Sequence, residues 1–185
     1  AIAANDYGNG ITIDNVKLYT VKNDVELVKV EAPAPTGCSM GSNELLTVQV
    51  YNNYNQPQTN VQLYYQADGG SIVNETVASI AAKDTISYTF ATPMNLSATG
   101  LHTIKTWLVA TGDTYQNNDS ILNYTVRNEP LIAQFPYLEN FESGDGAWYP
   151  GGQASSWAYG TPASQHVKKA ASGSKAWKTS LTGYY

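Results

Sequence analysis

From Asp24 to Asn128 the chain alternates apolar and polar residues with a period of two, broken at short intervals by Gly, Asn, Asp and Pro. A period of two sends successive side chains to opposite faces of an extended strand, so this stretch is written for short strands and not for helices. Leu46, Val48 and Val50 alternate with Thr47, Gln49 and Tyr51, and Val61, Leu63, Tyr65 and Ala67 alternate with Gln62, Tyr64 and Gln66. In the first strand Val25 and Leu27 give way to Val28 and Val30, a phase slip that predicts a β-bulge. Asp68-Gly69-Gly70 predicts a hairpin, because glycine accepts the positive φ such turns demand. Further strands are predicted around Ser71–Ile80, over Thr85–Phe90 with Ile86, Tyr88 and Phe90 inward, over His102–Val109 and over Ile121–Val126.

Seven strands in roughly 105 residues, with no helical periodicity, is the pattern of an immunoglobulin-like sandwich. The fold class expected is therefore all-β, a seven-stranded β-sandwich with partial jelly-roll segments at both ends. The flanks carry different text. Residues 1–21 contain one strand, GITIDNVKLY, with no partner nearby in sequence, and residues 131–185 hold three of the four Trp, at Trp148, Trp157 and Trp177. The expected organisation is the last strand of a jelly roll over 1–21, the sandwich over 22–130, and the truncated start of a second jelly roll over 131–185.

Composition excludes several function classes. Net charge is -5 with ten scattered Lys and Arg, whereas nucleic acid or an anionic membrane calls for basic residues gathered on one face. No apolar run approaches the roughly 18 residues that cross a bilayer. The single Cys38 permits no internal disulfide, so stability must come from packed sheets. Fourteen Tyr, four Trp and abundant Thr, Asn, Ser and Gly suit strands with wet outer faces. The first residues read as mid-protein sequence, which is expected of a fragment or a processed product of a secreted chain.

The blocks GCSMGSNELLTVQVYN, ISYTF and NLSATGLHTIKTWLVATGDTYQNND occur in that order, and through them the central segment resembles the CARDB-type Ig-like adhesion modules of Bacteroidetes secreted proteins. FPYLENFESGDGAW, SSWAYGTP and AASGSKAWKTSLTG are similar to the start of MAM-like or cleaved-adhesin jelly rolls, and GNGITIDNVKLY to the last strand of that class. The resemblance implies an Ig-like spacer between two jelly rolls in a surface protein. One departure stands out. The family usually places Tyr after the turn at Gly100, where this chain has His102, and a histidine there could bond back to the backbone through a ring nitrogen.

The candidate sites are few. Gly37-Cys38-Ser39-Met40-Gly41 matches G-x-S-x-G, but a nucleophile elbow needs a strand before the serine and a helix after it, whereas here a Pro-rich loop precedes the string and a strand follows, so a plain loop is expected. Cys38 is expected to be a small buried apolar side chain. His102 and His166 lie far apart, with no zinc-ligand spacing around them. Asp14, Glu139, Glu142 and Asp145 resemble positions that supply calcium oxygens in lectin-like jelly rolls, so Ca2+ is the one cofactor considered, against simple capping of strand ends. The loop Asp113, Asn117, Asn118, Asp119 also spaces oxygen ligands closely, although Asx-type turns account for such a string.

Tyr64 and Trp107 point out of the sandwich by parity on strands expected to be neighbours. With Tyr51, Tyr54 or Tyr115 they could stack a sugar or a protein, or simply pair with each other. Asp119-Ser120-Ile121 and Asp84-Thr85-Ile86 look like an O-glycosylation string of Bacteroidetes envelope proteins, with Ser120 favoured over Thr85.

The expected function is a non-catalytic structural or adhesive module of a secreted, multidomain bacterial surface protein, found outside the cell or on its surface. Its expected partners are other domains of the same polypeptide, a glycan or a cell-surface protein. Two alternatives remain: a glycan-targeting accessory region of a secreted hydrolase, and a segment of an extracellular fibre assembled through open sheet edges.

Overall fold

The computed structural model describes residues 23–183. Two β-sheets face each other: β1 (Val25–Ala32), β3 (Thr47–Asn52) and β6 (Thr85–Thr89) in the order β1-β3-β6, and β2 (Thr36–Cys38), β4 (Gln58–Ala67), β5 (Val73–Ile80), β7 (Gly100–Val109) and β8 (Ser120–Glu129) in the order β2-β8-β7-β4-β5. All pairings within them are antiparallel except β2 with β8. A 3-10 turn, Gln116–Asn118, precedes β8. The all-β sandwich expected from the alternation is the observed architecture.

The alternation decides which residues meet between the sheets. Val25, Leu27, Leu46, Val48 and Val50 come from one side, and Val61, Leu63, Tyr65, Ile104, Leu108 and Val126 from the other, all buried. Phe90 sits between them with no exposed surface, and the rings of Tyr65 and Tyr88 meet its ring edge-on. The register of β1 against β3 skips Val28, which is the bulge the phase slip predicts. At the β4–β5 hairpin Asp68 and Gly69 both have positive φ, and Gly70 donates to the Ala67 carbonyl at 2.8 Å, a twist-compatible two-residue turn.

Between β1 and β2 the chain crosses from one sheet to the other. Pro33 accepts a bond from the Tyr124 hydroxyl, and Pro35 accepts one from the Arg127 N–H, so the crossing is tied to β8. The short strand β2 was not expected from the sequence, where Gly37 and Cys38 read as loop. Cys38 is also exposed rather than buried, on a short strand at the sheet edge.

The chain comes into the sandwich at Asn23 and Asp24 and leaves at Glu129. Asp24 is held beside the start of β8 by a 3.0 Å bond from Asn118, whereas Glu129 ends that same strand. At about 3.3 Å per residue the ten residues of β8 separate the two points by roughly 30 Å. We call these ends the proximal and distal poles.

Beyond Pro130 the chain runs irregularly to a two-stranded antiparallel ladder, β9 (Trp157–Gly160) with β10 (Ala176–Thr179). Glu142 braces this region by accepting from the backbone N–H groups of Ser174 and Lys175 and from the Ser174 hydroxyl. Several large apolar side chains face water here, Phe135 at 81% and Leu138 at 89% exposure.

Candidate functional site

Two clusters and one aromatic pair carry the polar chemistry of the sandwich. At the distal pole His102 is 6% exposed. Its Nδ1 lies 2.6 Å from Asp68 Oδ2 and its Nε2 lies 2.8 Å from the Ala98 carbonyl. Both ring nitrogens face acceptors, so both are donors and the ring is an imidazolium. Burial opposes that charge, but the bonds to Asp68 and Ala98 outweigh it and raise the His102 pKa, while Asp68 is lowered despite its own partial burial. Histidine thus makes the backward bond to the chain that a corner tyrosine would make.

This geometry also settles the G-x-S-x-G string. Ser39 has φ 59, the left-handed turn that an elbow serine adopts, and a short strand precedes it. No helix follows, and His102 spends Nε2 on a carbonyl instead of a hydroxyl. The Asp68–His102 pair therefore braces a corner, with Nε2 held on a backbone carbonyl. Beside it Asn128, 2% exposed, accepts from Met40 N–H and donates to the Leu96 carbonyl, with the Met40 and Ala98 carbonyls also in reach.

The proximal pole gathers three acids. Asp24, 2% exposed, accepts from the side-chain amides of Asn53 and Asn118. Asp113 accepts from the N–H groups of Val25 and Tyr115. Asp119 is 8% exposed, and its burial together with the Asp113 and Asp24 charges pushes its carboxyl up to about 6. Asp113 and Asp119 also line a cavity of about 350 Å³, along with Trp107, Gln116 and Ser120.

Tyr64 and Trp107 face each other in the β4–β7 register, and their rings stack with centroids 5.3 Å apart and planes 2° from parallel. Both stay partly exposed on the outer face of the five-stranded sheet. Parity and strand adjacency, as read from the sequence, bring them together. Tyr51 is on β3 of the opposite sheet and so belongs to another surface. Ser120, exposed, opens β8 directly opposite Trp107, and Thr85, also exposed, opens β6.

The residues considered for calcium in the flanks are placed as follows. Asp14 lies outside the described residues. Glu139 accepts from Phe141 N–H, Asp145 from Ala147 N–H, and Glu142 from the Ser174–Lys175 backbone, so each ties down a turn. Bonds to those N–H groups hold Glu142 below the usual carboxylate range. Among the described residues no group of three or more Asp, Glu, His or Cys side chains stands in metal-holding geometry. Sequence reading missed Asp24 as part of the proximal cluster, because Asn118 lies 94 positions away and no local spacing announces it.

The fold and these clusters define a β-sandwich module with a polar corner at each pole. No protein-family profile matches the chain. No curated protein matches it either. Among solved structures it is similar to the CARDB domain of a Pyrococcus furiosus protein in complex with di-metal ions, at 17% identity over 62% of this chain and 100% of that one, with a TM-score of 0.48. It is likewise similar to a domain of a Methanosarcina acetivorans protein provisionally assigned to the cell surface, at 17% identity over 58% of this chain and 92% of that one, TM-score 0.47. A solution structure of the same Pyrococcus domain gives 15% identity over 60% and 98%, TM-score 0.41. No helix among the described residues is long and apolar enough to cross a membrane.

Proposed function

We propose that this chain is a non-catalytic spacer and adhesive segment of a secreted, multidomain surface protein, in which the sandwich holds its neighbours apart. The observation that carries this reading is the polar separation of its ends. Asp24 is pinned beside the start of β8 and Glu129 closes its far end, so a domain on either side is held roughly 30 Å from the other. A module that takes the chain in at one pole and releases it at the other adds length in series. Among the described residues the buried core of the sandwich draws on residues 25–126.

Small-angle scattering of a longer polypeptide that includes the neighbouring domains tests this reading. An elongated particle, lengthened by about 30 Å per sandwich, is expected. A compact particle with the neighbours in contact would remove it.

A second reading, recognition of a glycan by the sandwich itself, is favoured by the stacked and partly exposed Tyr64–Trp107 pair. Trp107→Ala on a glycan array separates the two. Binding that disappears with the ring supports recognition by this face, and unchanged binding leaves the sandwich as a spacer only.

A further inference from the structure

Among the described residues three buried side-chain atoms have no hydrogen-bond partner: Asn23 Oδ1, Asn118 Oδ1 and Asp119 Oδ1. All three are oxygens, and all three belong to the proximal pole. A buried polar atom left unpaired costs roughly 1–3 kcal/mol, so three in one place call for a common partner. Every one of them is an acceptor, which means the missing partner is a cation or a donor.

The surroundings are electronegative. Asp24 and Asp113 stand close enough to Asp119 to raise its carboxyl, and their own oxygens are already taken by N–H donors. Among the described residues the ion pairs are Lys29–Glu31 and His102–Asp68, and neither reaches this group. Lys83, on the loop beside this pole, spends its ammonium on the backbone and side-chain oxygens of Asn53. Among the described residues the three acids thus share one end of the sandwich without an ion pair of their own. The three carboxylates do not form a cage by themselves, which fits a ligand set that mixes one acid with neutral oxygens.

We propose that the proximal pole binds a hard divalent cation of the calcium class, with Asp119 as its carboxylate ligand and the free side-chain oxygens of Asn118 and Asn23 as neutral ligands. Calcium accepts six to eight oxygens in flexible geometry, including amide oxygens and water, and the cavity beside Asp119 and Asp113 leaves room for the water. Asp24 and Asp113 supply charge to the site while staying on their N–H donors. The ion would tie Asn23, where the chain comes into the sandwich, to the loop before β8. This inference stands on the proximal oxygens alone and does not depend on the spacer reading.

Trp107 lines the same cavity as Asp119, so it can serve as the light-harvesting donor for a bound Tb3+. The experiment uses the whole 185-residue chain with Tb3+ and Ca2+ as probes. Tryptophan-sensitised Tb3+ emission, displaced by Ca2+, is expected, together with a Tm that rises with the logarithm of calcium concentration. Asp119→Asn abolishes both responses while its calcium-free Tm stays equal to or above that of the wild type, because a buried charge has gone. Glu142→Gln, in the separate C-terminal brace, keeps both responses. The proposal is overturned if millimolar calcium leaves Tm unchanged, which is the result expected when a proton or a water satisfies Asp119. It is also overturned if the responses survive in Asp119→Asn.

Discussion

His102 and Asp68 meet at 2.6 Å across the distal corner, a buried imidazolium against a half-exposed carboxylate. Folding favours the charged form of each partner. The raised His102 pKa contributes stability that is complete below its unfolded value of about 6.5 and is lost as pH rises through the higher folded value. The lowered Asp68 pKa contributes stability present above its unfolded value of about 3.9 and lost as pH falls through the folded one. The corner is therefore strongest between about pH 4 and 6.5. Asp68→Asn keeps an acceptor for Thr103 N–H but removes the charge. An NMR titration should show the His102 pKa falling in the variant, and urea unfolding should lose most of its slope above pH 6.5. An unchanged titration would place the source of the shift elsewhere.

Asn128 holds the other half of that corner. One buried amide joins two chain segments, Met40 and Leu96–Ala98, and replacing it with Leu leaves the Met40 N–H and the Leu96 carbonyl without it. Asn128→Leu should cost about 2–4 kcal/mol in urea unfolding, more than Asn74→Ala on the exposed face of β5, whose side chain makes one longer bond at 3.2 Å.

What the sequence disclosed, and what it withheld, follows from the range of each interaction. The sandwich, the bulge at Val28, the Asp68-Gly69 turn and the Tyr64–Trp107 adjacency are all written in local alternation, and the structure repeats them. A corner role for His102 was readable through the family resemblance, which implies a corner Tyr at that place after the Gly100 turn. Its partner Asp68 was not, because the two are 34 positions apart and read as members of separate turns. The proximal acids show the same limit. Asp113 and Asp119 could be seen as a loop string, whereas Asp24 joins them only through β-sheet closure, 94 positions from Asn118.

Cys38 is where a composition-based expectation failed. Free cysteines are usually buried, but this one sits on the two-sided edge formed when Thr36–Cys38 pairs with β8. An accessible thiol follows. One equivalent of a maleimide or of Ellman's reagent should react with the native protein at the rate of an open thiol, and denaturant should add no further equivalents. Reaction only after unfolding would return Cys38 to the interior.

The stacked Tyr64–Trp107 pair lends itself to a double-mutant cycle. Offset aromatic stacking is worth about 0.5–1.5 kcal/mol beyond area burial. Tyr64→Ala, Trp107→Ala and the double variant, unfolded in urea, should give a coupling within that range. A coupling near zero would mean that the two rings lie side by side without supporting each other. That result would favour a surface kept flat for a ligand rather than for stability.

Asp119 allows the last test, and it occupies a different pH window from the His102 corner. Its carboxyl is pushed up to about 6, first by burial and then by Asp113 and Asp24, so between its unfolded value near 4 and about 6 the folded state holds a proton that the unfolded state has lost. In calcium-free buffer, stability should therefore fall as pH rises from about 4 to 6 and show no further contribution from this group above that. Asp119→Asn cannot ionise and should flatten the profile in that interval while leaving the decline above pH 6.5, which belongs to His102. If the variant retains the slope between pH 4 and 6, a group other than Asp119 carries the proton.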